Sequence, residues 1–315
     1  MKFNIKKIIM LTLILTFAIG LGGCVNKNVE GLVGEVNGEE ITQEQFDSEY
    51  AIYKNQFEAQ LGEGALEQPH PEGGTYGEVL KTNILEKIIM EKLVAKESKD
   101  LNITVTDEEV KAKMDEYLEE MDGQEKFDEF LTSIQLSQEY FEDNLRKELL
   151  FDKYRAEILK DVSVSDKGIK EYFEENKEDL VVVRANHILV DSEDKAKAAL
   201  DRLNNGDPFD IVAKDVSMDG SAPQGGDLGY FPKGKYGAIK EFEDTVFALK
   251  EGETSRIVKT EVGYHIIQLV DRKDSYDDLK DDIVLVLKED KYKSKMQELR
   301  DKAKVEKYLD DKAAK

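Results

Sequence analysis

The sequence predicts an α+β protein in which a compact α+β domain is inserted into an all-helical domain built from both chain ends. Three observations predict it. Apolar residues recur at helical spacing from about residue 43 to 160 and again beyond residue 275. From Val181 to Asp271 the texture changes to β-branched runs punctuated by tight glycines. The last helical stripe would be an exposed apolar surface unless it folds back on the N-terminal helices.

The chain opens with Lys2, Lys6 and Lys7 ahead of an apolar run from Ile8 to Leu21, which is short for a membrane span of ~20 residues and fits an export signal. The run ends in Leu21-Gly22-Gly23-Cys24, and small residues before a lone cysteine fit a lipobox. Residues 1–23 are therefore expected to be a removed signal peptide, and 24–31 a tether lipidated at Cys24. Two acyl chains, at ~0.8 kcal/mol per buried CH₂, hold a protein at a membrane durably. The expected location is the extracytoplasmic face of the cell membrane, in a Gram-positive host. Cys24 is the only cysteine, so the folded part has no internal disulfide and no thiol for catalysis or metal binding.

The formal net charge is −23, and losing three lysines with residues 1–23 takes it to −26. No basic patch stands out that could displace counterions from phosphate, so nucleic acid is not an expected partner. Acidity of this degree keeps a tethered protein soluble and attracts basic segments of unfolded chains. Most individual carboxylates read as solvated helix faces.

Within the predicted N-terminal helical domain, 32–178, Leu32 to Asn37 alternates as a strand and turns at Asn37-Gly38. Thr42 with Gln45 reads as a capping box opening a helix to about Gln60. Gly62 to Thr75, with Pro69, Pro71 and four glycines, reads as a mobile loop, and His70 within it takes no assigned role. Leu80, Ile84, Leu85, Ile88 and Ile89 mark a buried helix from Tyr76 to Ser98. Thr106 with Glu109 caps another, Gln124 to Ile134 is a short helix and Gln138 to Lys160 a long one. Ile103–Asp107 and Val162–Asp166 share one pattern, an extended lead-in and a Ser/Thr cap before a helix.

The inserted domain, 179–272, is expected to run as a strand through Val190, helices near Asp194 to Asn204 and Phe209 to Asp215, and a glycine loop. A short helix at Phe242 to Ala248 and strands around Ile257 and Tyr264 to Val270 complete it. Beyond, in 273–315, Ser275 with Asp278 caps a last helix whose stripe is Leu279, Ile283, Val286, Met296 and Leu299, packing on the N-terminal domain.

The central segment carries Asn186-His187-Ile188-Leu189-Val190 and Gly263-Tyr264-His265-Ile266-Ile267 at its two ends. Between them lie Gly206-Asp207-Pro208-Phe209, Ser217-Met218-Asp219-Gly220-Ser221-Ala222, Gly225-Gly226-Asp227-Leu228-Gly229-Tyr230-Phe231 and Phe242-Glu243-Asp244. In that order these elements resemble a parvulin-type peptidyl-prolyl cis-trans isomerase, over roughly Val181 to Asp271. The whole order resembles the PrsA foldase lipoproteins, and the opening from Val36-Asn37-Gly38 to Phe46 is similar to SurA-like chaperone domains.

The resemblance implies a parvulin-like α+β domain inserted in a SurA/PrsA-like helical one, and a membrane-anchored foldase that isomerises X-Pro bonds in secreted proteins. It implies His187 and His265 as paired central imidazoles and Asp219 as the carboxyl facing the amide carbonyl, with burial expected to favour its protonated form. Leu228 and Phe242 match the wall of the proline slot, with Phe231 beside it and Thr260 near the histidines. The turn Gly234-Lys235-Tyr236-Gly237-Ala238-Ile239-Lys240-Glu241-Phe242 is about two residues longer than the family's, so Tyr236 or Ile239 could complete the wall.

Rotating an X-Pro bond costs ~18 to 20 kcal/mol of lost resonance and breaks no bond, so a catalyst needs a snug slot and polar groups rather than a nucleophile. No cofactor and no metal is expected. Asp215 to Gly226 begins like a calcium loop, but its twelfth position is Gly226 where a bidentate Glu is required. The glycines at 225–229 are followed by no Lys-Ser/Thr. The expected partners are unfolded or partly folded secreted proteins with X-Pro bonds. The sequence allows a homodimer through the N-terminal helices, though no residue argues for one. The alternative function is a holding chaperone acting through the helical domain with the isomerase domain dispensable. A transporter's substrate-binding lipoprotein would need two α/β lobes.

Overall fold

The computed structural model describes residues 30–71 and 73–308. The expected signal peptide, Cys24 and almost all of the tether lie outside the described residues. Asn37 and Gly38 take positive φ, 54° and 86°, and turn the chain between strands β1 (Leu32–Val36) and β2 (Glu39–Thr42) as the Asn-Gly pair predicts. Helix α1 (Gln43–Leu61) starts where the Thr42 hydroxyl accepts the Gln45 N–H at 3.1 Å, which is half of the predicted capping box.

The proline-rich loop is tied rather than loose. His70 N–H donates to the Gly74 carbonyl at 2.9 Å, and Tyr76 N–H to the Gln68 carbonyl at 3.1 Å. It leads to a full Thr75/Glu78 capping box at the head of α2 (Tyr76–Asp100). Helices α3 (Asp107–Glu120), opened by the predicted Thr106/Glu109 box, α4 (Gln124–Ser133) and α5 (Gln138–Leu159) follow.

Then come α6 (Asp166–Asn176), β3 (Val182–Val190), α7 (Glu193–Asn204), α8 (Phe209–Val216), β4 (Asp227–Pro232), α9 (Lys240–Ala248), β5 (Val258–Thr260), β6 (Gly263–Lys273), α10 (Tyr276–Lys302) and β7 (Val305–Lys307). Strand β4 replaces part of the expected glycine loop, because Val182 to Asn186 of β3 offers it a paired edge. Strand β7 was not foreseen. Three residues hold too little periodicity to register alone.

The described residues form two compact units, one of residues up to 162 together with those from 291 on, the other of residues 163–290. The second is inserted in the first, as the sequence predicts. The expected edges at 178/179 and 272/273 differ from these divisions because Ile169 of α6 packs with Leu279 and Ile283 of α10. Val286 departs from the predicted stripe and is 36 % exposed.

The helical unit closes on a three-stranded sheet, β2-β1-β7, with Val36 opposite Val305 and Gly34 opposite Lys307. Its main core joins Phe46 of α1, Ile84, Ile88 and Ile89 of α2, Tyr154 of α5 and Met296 of α10. Glu49 is buried beside it, accepting from Lys87 Nζ at 3.0 Å and Tyr140 Oη at 2.8 Å, so one carboxylate ties α1 to α2 and α5. The inserted unit is built on the antiparallel sheet β4-β3-β6-β5, apolar on both faces.

Tyr154 is wholly buried and its hydroxyl has no partner among the described residues. Burying an unpaired hydroxyl costs free energy that a phenyl ring does not. Tyr154→Phe is expected to leave the Tm of the helical unit unchanged or higher, whereas Tyr154→Ala should cost about 3 to 5 kcal/mol in denaturant unfolding. A Tyr154→Phe variant that unfolds markedly earlier would disprove this reading.

Candidate functional site

Alternation along β3 sends Val183, Ala185 and His187 to one face, and Ile188 and Val190 to the other. Register completes the placement. His187 stands opposite Ile267 and Leu189 opposite His265, so the two histidines are diagonal neighbours on one face of β3 and β6. His187 Nε2 meets His265 Nδ1 at 2.8 Å, with the rings 14° from parallel and 5.0 Å between centroids. The sequence kept the pair apart by 78 residues and the sheet brings it together.

His187 is 6 % and His265 1 % exposed. Burial pushes His187 down to about 4, assisted by its neighbour His265 and only partly opposed by Asp219. Burial likewise lowers His265. Both rings are therefore neutral at pH 7, one nitrogen of each donating and the other accepting. Beyond them, Thr260 Oγ1 lies 2.6 Å from His265 Nε2.

Asp219 reaches the pair from a loop pinned to β3. Ser217 Oγ accepts the Leu189 N–H at 3.1 Å and the Asp219 N–H at 3.3 Å, while Met218 N–H donates to the Leu189 carbonyl at 2.8 Å. The result puts Asp219 Oδ1 3.9 Å from His187 Nδ1. On the other side of His187, its backbone N–H donates to the Gly226 carbonyl at 2.8 Å. Gly226 has φ of 83°, and a Cβ there would stand 2.4 Å from the His187 carbonyl oxygen, so only glycine permits this approach.

The carboxyl was expected to be protonated, and the structure corrects that. Burial pushes Asp219 up, but the Ser221 hydroxyl and the backbone N–H groups of Ser221 and Gly220 outweigh it and hold the carboxyl below its ordinary value. Its side chain keeps 30 % exposure, too much for desolvation to win. At neutral pH it is an acceptor, not a donor.

Aromatic rings form the floor. Phe242 stands edge-on to His187 at 5.1 Å and tilted to His265 at 5.7 Å. Tyr236 meets Phe242 at 5.2 Å and Phe231 at 4.9 Å, so it joins their aromatic cluster, with Ile239 packed on the same cluster. Leu228 borders that cluster. All eight predicted residues of the site (His187, Asp219, Leu228, Phe231, Tyr236, Phe242, Thr260 and His265) thus fall around one face of the β3–β6 pair. Sequence reasoning missed Ser217, Ser221 and the role of Gly226. The Asp219-Gly220-Ser221 triplet is a readable Asx-turn signal and could have found Ser221.

Among the described residues this face gathers no cluster of ligands for a metal. What it offers is an apolar floor beside two neutral imidazoles and one carboxylate.

The chain is similar to known proteins over most of its length. Residues 171–273 match the family of PPIC-type PPIase domains, and residues 1–155 that of SurA-like N-terminal domains. The chain is 37 % identical over 268 residues to the foldase protein PrsA of Caldanaerobacter subterraneus subsp. tengcongensis, covering 84 % of this chain and 82 % of that one. It is 32 % identical over 296 residues to the foldase protein PrsA of Clostridium botulinum, covering 88 % of both. Among solved structures, PrsA from Bacillus subtilis matches at 26 % identity over 88 % of this chain and 93 % of that one, with a TM-score of 0.35.

The neutral His187 has a consequence for stability. Its folded value, about 4, lies below the unfolded one of ~6.5, so its contribution is present above pH 6.5 and lost as pH falls toward 4. Between pH 7 and pH 4 the full chain should lose about 3 kcal/mol more than a His187→Leu variant, read by hydrogen exchange of the β3 amides. Parallel pH curves for the two proteins would contradict a neutral buried His187.

Proposed function

Because the chain belongs to the PrsA foldase family, we propose that His187, His265 and Asp219 are the catalytic groups with which it isomerises X-Pro bonds in secreted proteins, and that a lipid on Cys24 holds it at the extracytoplasmic face of the membrane. The protein is a parvulin-type peptidyl-prolyl cis-trans isomerase and a foldase. The observation that carries the catalytic assignment is the 2.8 Å contact of His187 with His265 beside Asp219.

The chemistry follows from amide resonance. A planar X-Pro amide carries negative charge on its oxygen, and twisting withdraws that charge toward nitrogen. A fixed carboxylate facing the carbonyl oxygen destabilises the planar form more than the twisted one. The barrier falls. This is differential binding by electrostatics, and one such group is worth roughly 3 kcal/mol in a partly dry site. Phe231, Tyr236, Phe242 and Leu228 would hold the pyrrolidine ring so that only the chain before it rotates. Thr260 and the two imidazoles fix the polar rear of the slot.

Clients are unfolded or partly folded exported chains with X-Pro bonds. The export-signal pattern ending at Cys24 and the strong negative charge support an anchored protein that stays soluble beside a membrane. Among the described residues no helix is long and apolar enough to cross one.

NMR exchange on a short X-Pro peptide tests the enzyme directly: cis/trans cross-peaks should build up faster with the soluble chain from residue 25 onward, and equal rates would remove the catalytic claim. Asp219→Ala should lower kcat/KM by about a hundredfold without unfolding the sheet. An unchanged rate would mean the carboxylate plays no part. Cys24→Ser should move the protein from the membrane fraction to the soluble one, and retention at the membrane would rule out the lipid anchor.

A further inference from the structure

Ser221 gives Asp219 two donors, one from its backbone and one from its side chain, and the Gly220 backbone adds a further one. Asp219 Oδ1 accepts the Ser221 backbone N–H at 2.9 Å and also the Ser221 hydroxyl, and this same oxygen faces His187 Nδ1 at 3.9 Å. The titratable groups around it are His187 from β3, His265 from β6 and Tyr236 from the turn before α9. No lysine or arginine pairs with it among the described residues. A carboxylate drawn partly out of water without a cation keeps its charge only where donors hold it.

That charge reaches further than Asp219. A negative oxygen 3.9 Å from His187 Nδ1 is too far to accept a hydrogen bond, but its charge favours a proton over a bare lone pair on that nitrogen, which leaves His187 Nε2 as an acceptor. His265 must then donate from Nδ1, and its bare Nε2 accepts the Thr260 hydroxyl 2.6 Å away. The Thr260 oxygen has a competing acceptor, the Gly263 carbonyl, only at 3.5 Å, while it takes the Val262 N–H at 3.3 Å. The opposite polarity would aim the lone pair of His187 Nδ1 at the carboxylate.

We infer that Ser221 is a positioning residue: by clamping Asp219 as the carboxylate it sets the direction of the hydrogen-bond chain Thr260 to His265 to His187, so that both rings carry their proton on Nδ1. The inference rests on the catalytic reading of the site and adds to it a residue that touches no substrate. Without the Ser221 hydroxyl the carboxyl keeps only backbone donors and takes up a proton more readily as pH falls, so the charge facing His187 Nδ1 is lost and with it the preference for a proton there.

The test uses the soluble chain from residue 25 onward. Side-chain ¹⁵N spectra should show His187 and His265 protonated at Nδ1 from pH 7.5 to 5.5. In Ser221→Ala the Nδ1 signature should weaken at the acid end, and X-Pro exchange should fall about fivefold more at pH 5.5 than at pH 7.5 relative to the parent. Ser221→Thr, which keeps the hydroxyl, should restore both. An Ala variant with the parent's tautomers and the parent's ratio of rates overturns the inference. Should that variant not fold, Nε2 protonation of either ring in the parent overturns it equally. A parent with Nδ1 tautomers but no exchange activity defeats the catalytic reading instead.

Discussion

One hydrogen bond between buried rings, His187 to His265, constrains everything around it. The contact needs one donor and one acceptor nitrogen, and burial disfavours a further proton on either ring. Each neighbour therefore has to accept two neutral imidazoles. Phe242 offers ring edges and faces, Thr260 a hydroxyl that can point either way, and Asp219 a charge kept to one end of the chain. The bond also dictates backbone. Diagonal placement across β3 and β6 demands their observed register, and a slip by one residue would turn one ring to the opposite face of the sheet.

The fold was legible where a residue's own chemistry announces local geometry. Asn37-Gly38 specifies a turn, Thr106 with Glu109 a helix start, and Ile84, Ile88 and Ile89 a buried stripe, each by short-range physics. What escaped was structure made by pairing. Asp227–Pro232 has the glycines of a loop and becomes a strand only because β3 supplies its hydrogen bonds. Val305–Lys307 becomes one only against β1.

The same division runs through the site. His187, Asp219 and His265 stood out because their spacing around glycine-rich turns resembles one family, and the aromatic wall came with them. The ionisation of Asp219 did not. Burial alone argues for a protonated acid, and the decisive donors come from Ser221, which sits two residues along the loop and turns both its backbone N–H and its hydroxyl to the carboxyl. Tyr236 shows the converse case. A turn about two residues long of the family pattern left two candidates for one wall position, and packing admits both, Tyr236 between Phe231 and Phe242 and Ile239 alongside.

The pairing of Val36 with Val305 also imposes an order of events. A polypeptide exported from its amino end exposes Leu32–Val36 early, yet that strand lacks its outer partner until some 270 residues later have crossed. The inserted unit, residues 163–290, has all its strands in hand before then. The sheet that carries the two histidines can thus form while the helical unit still lacks its final three-residue strand.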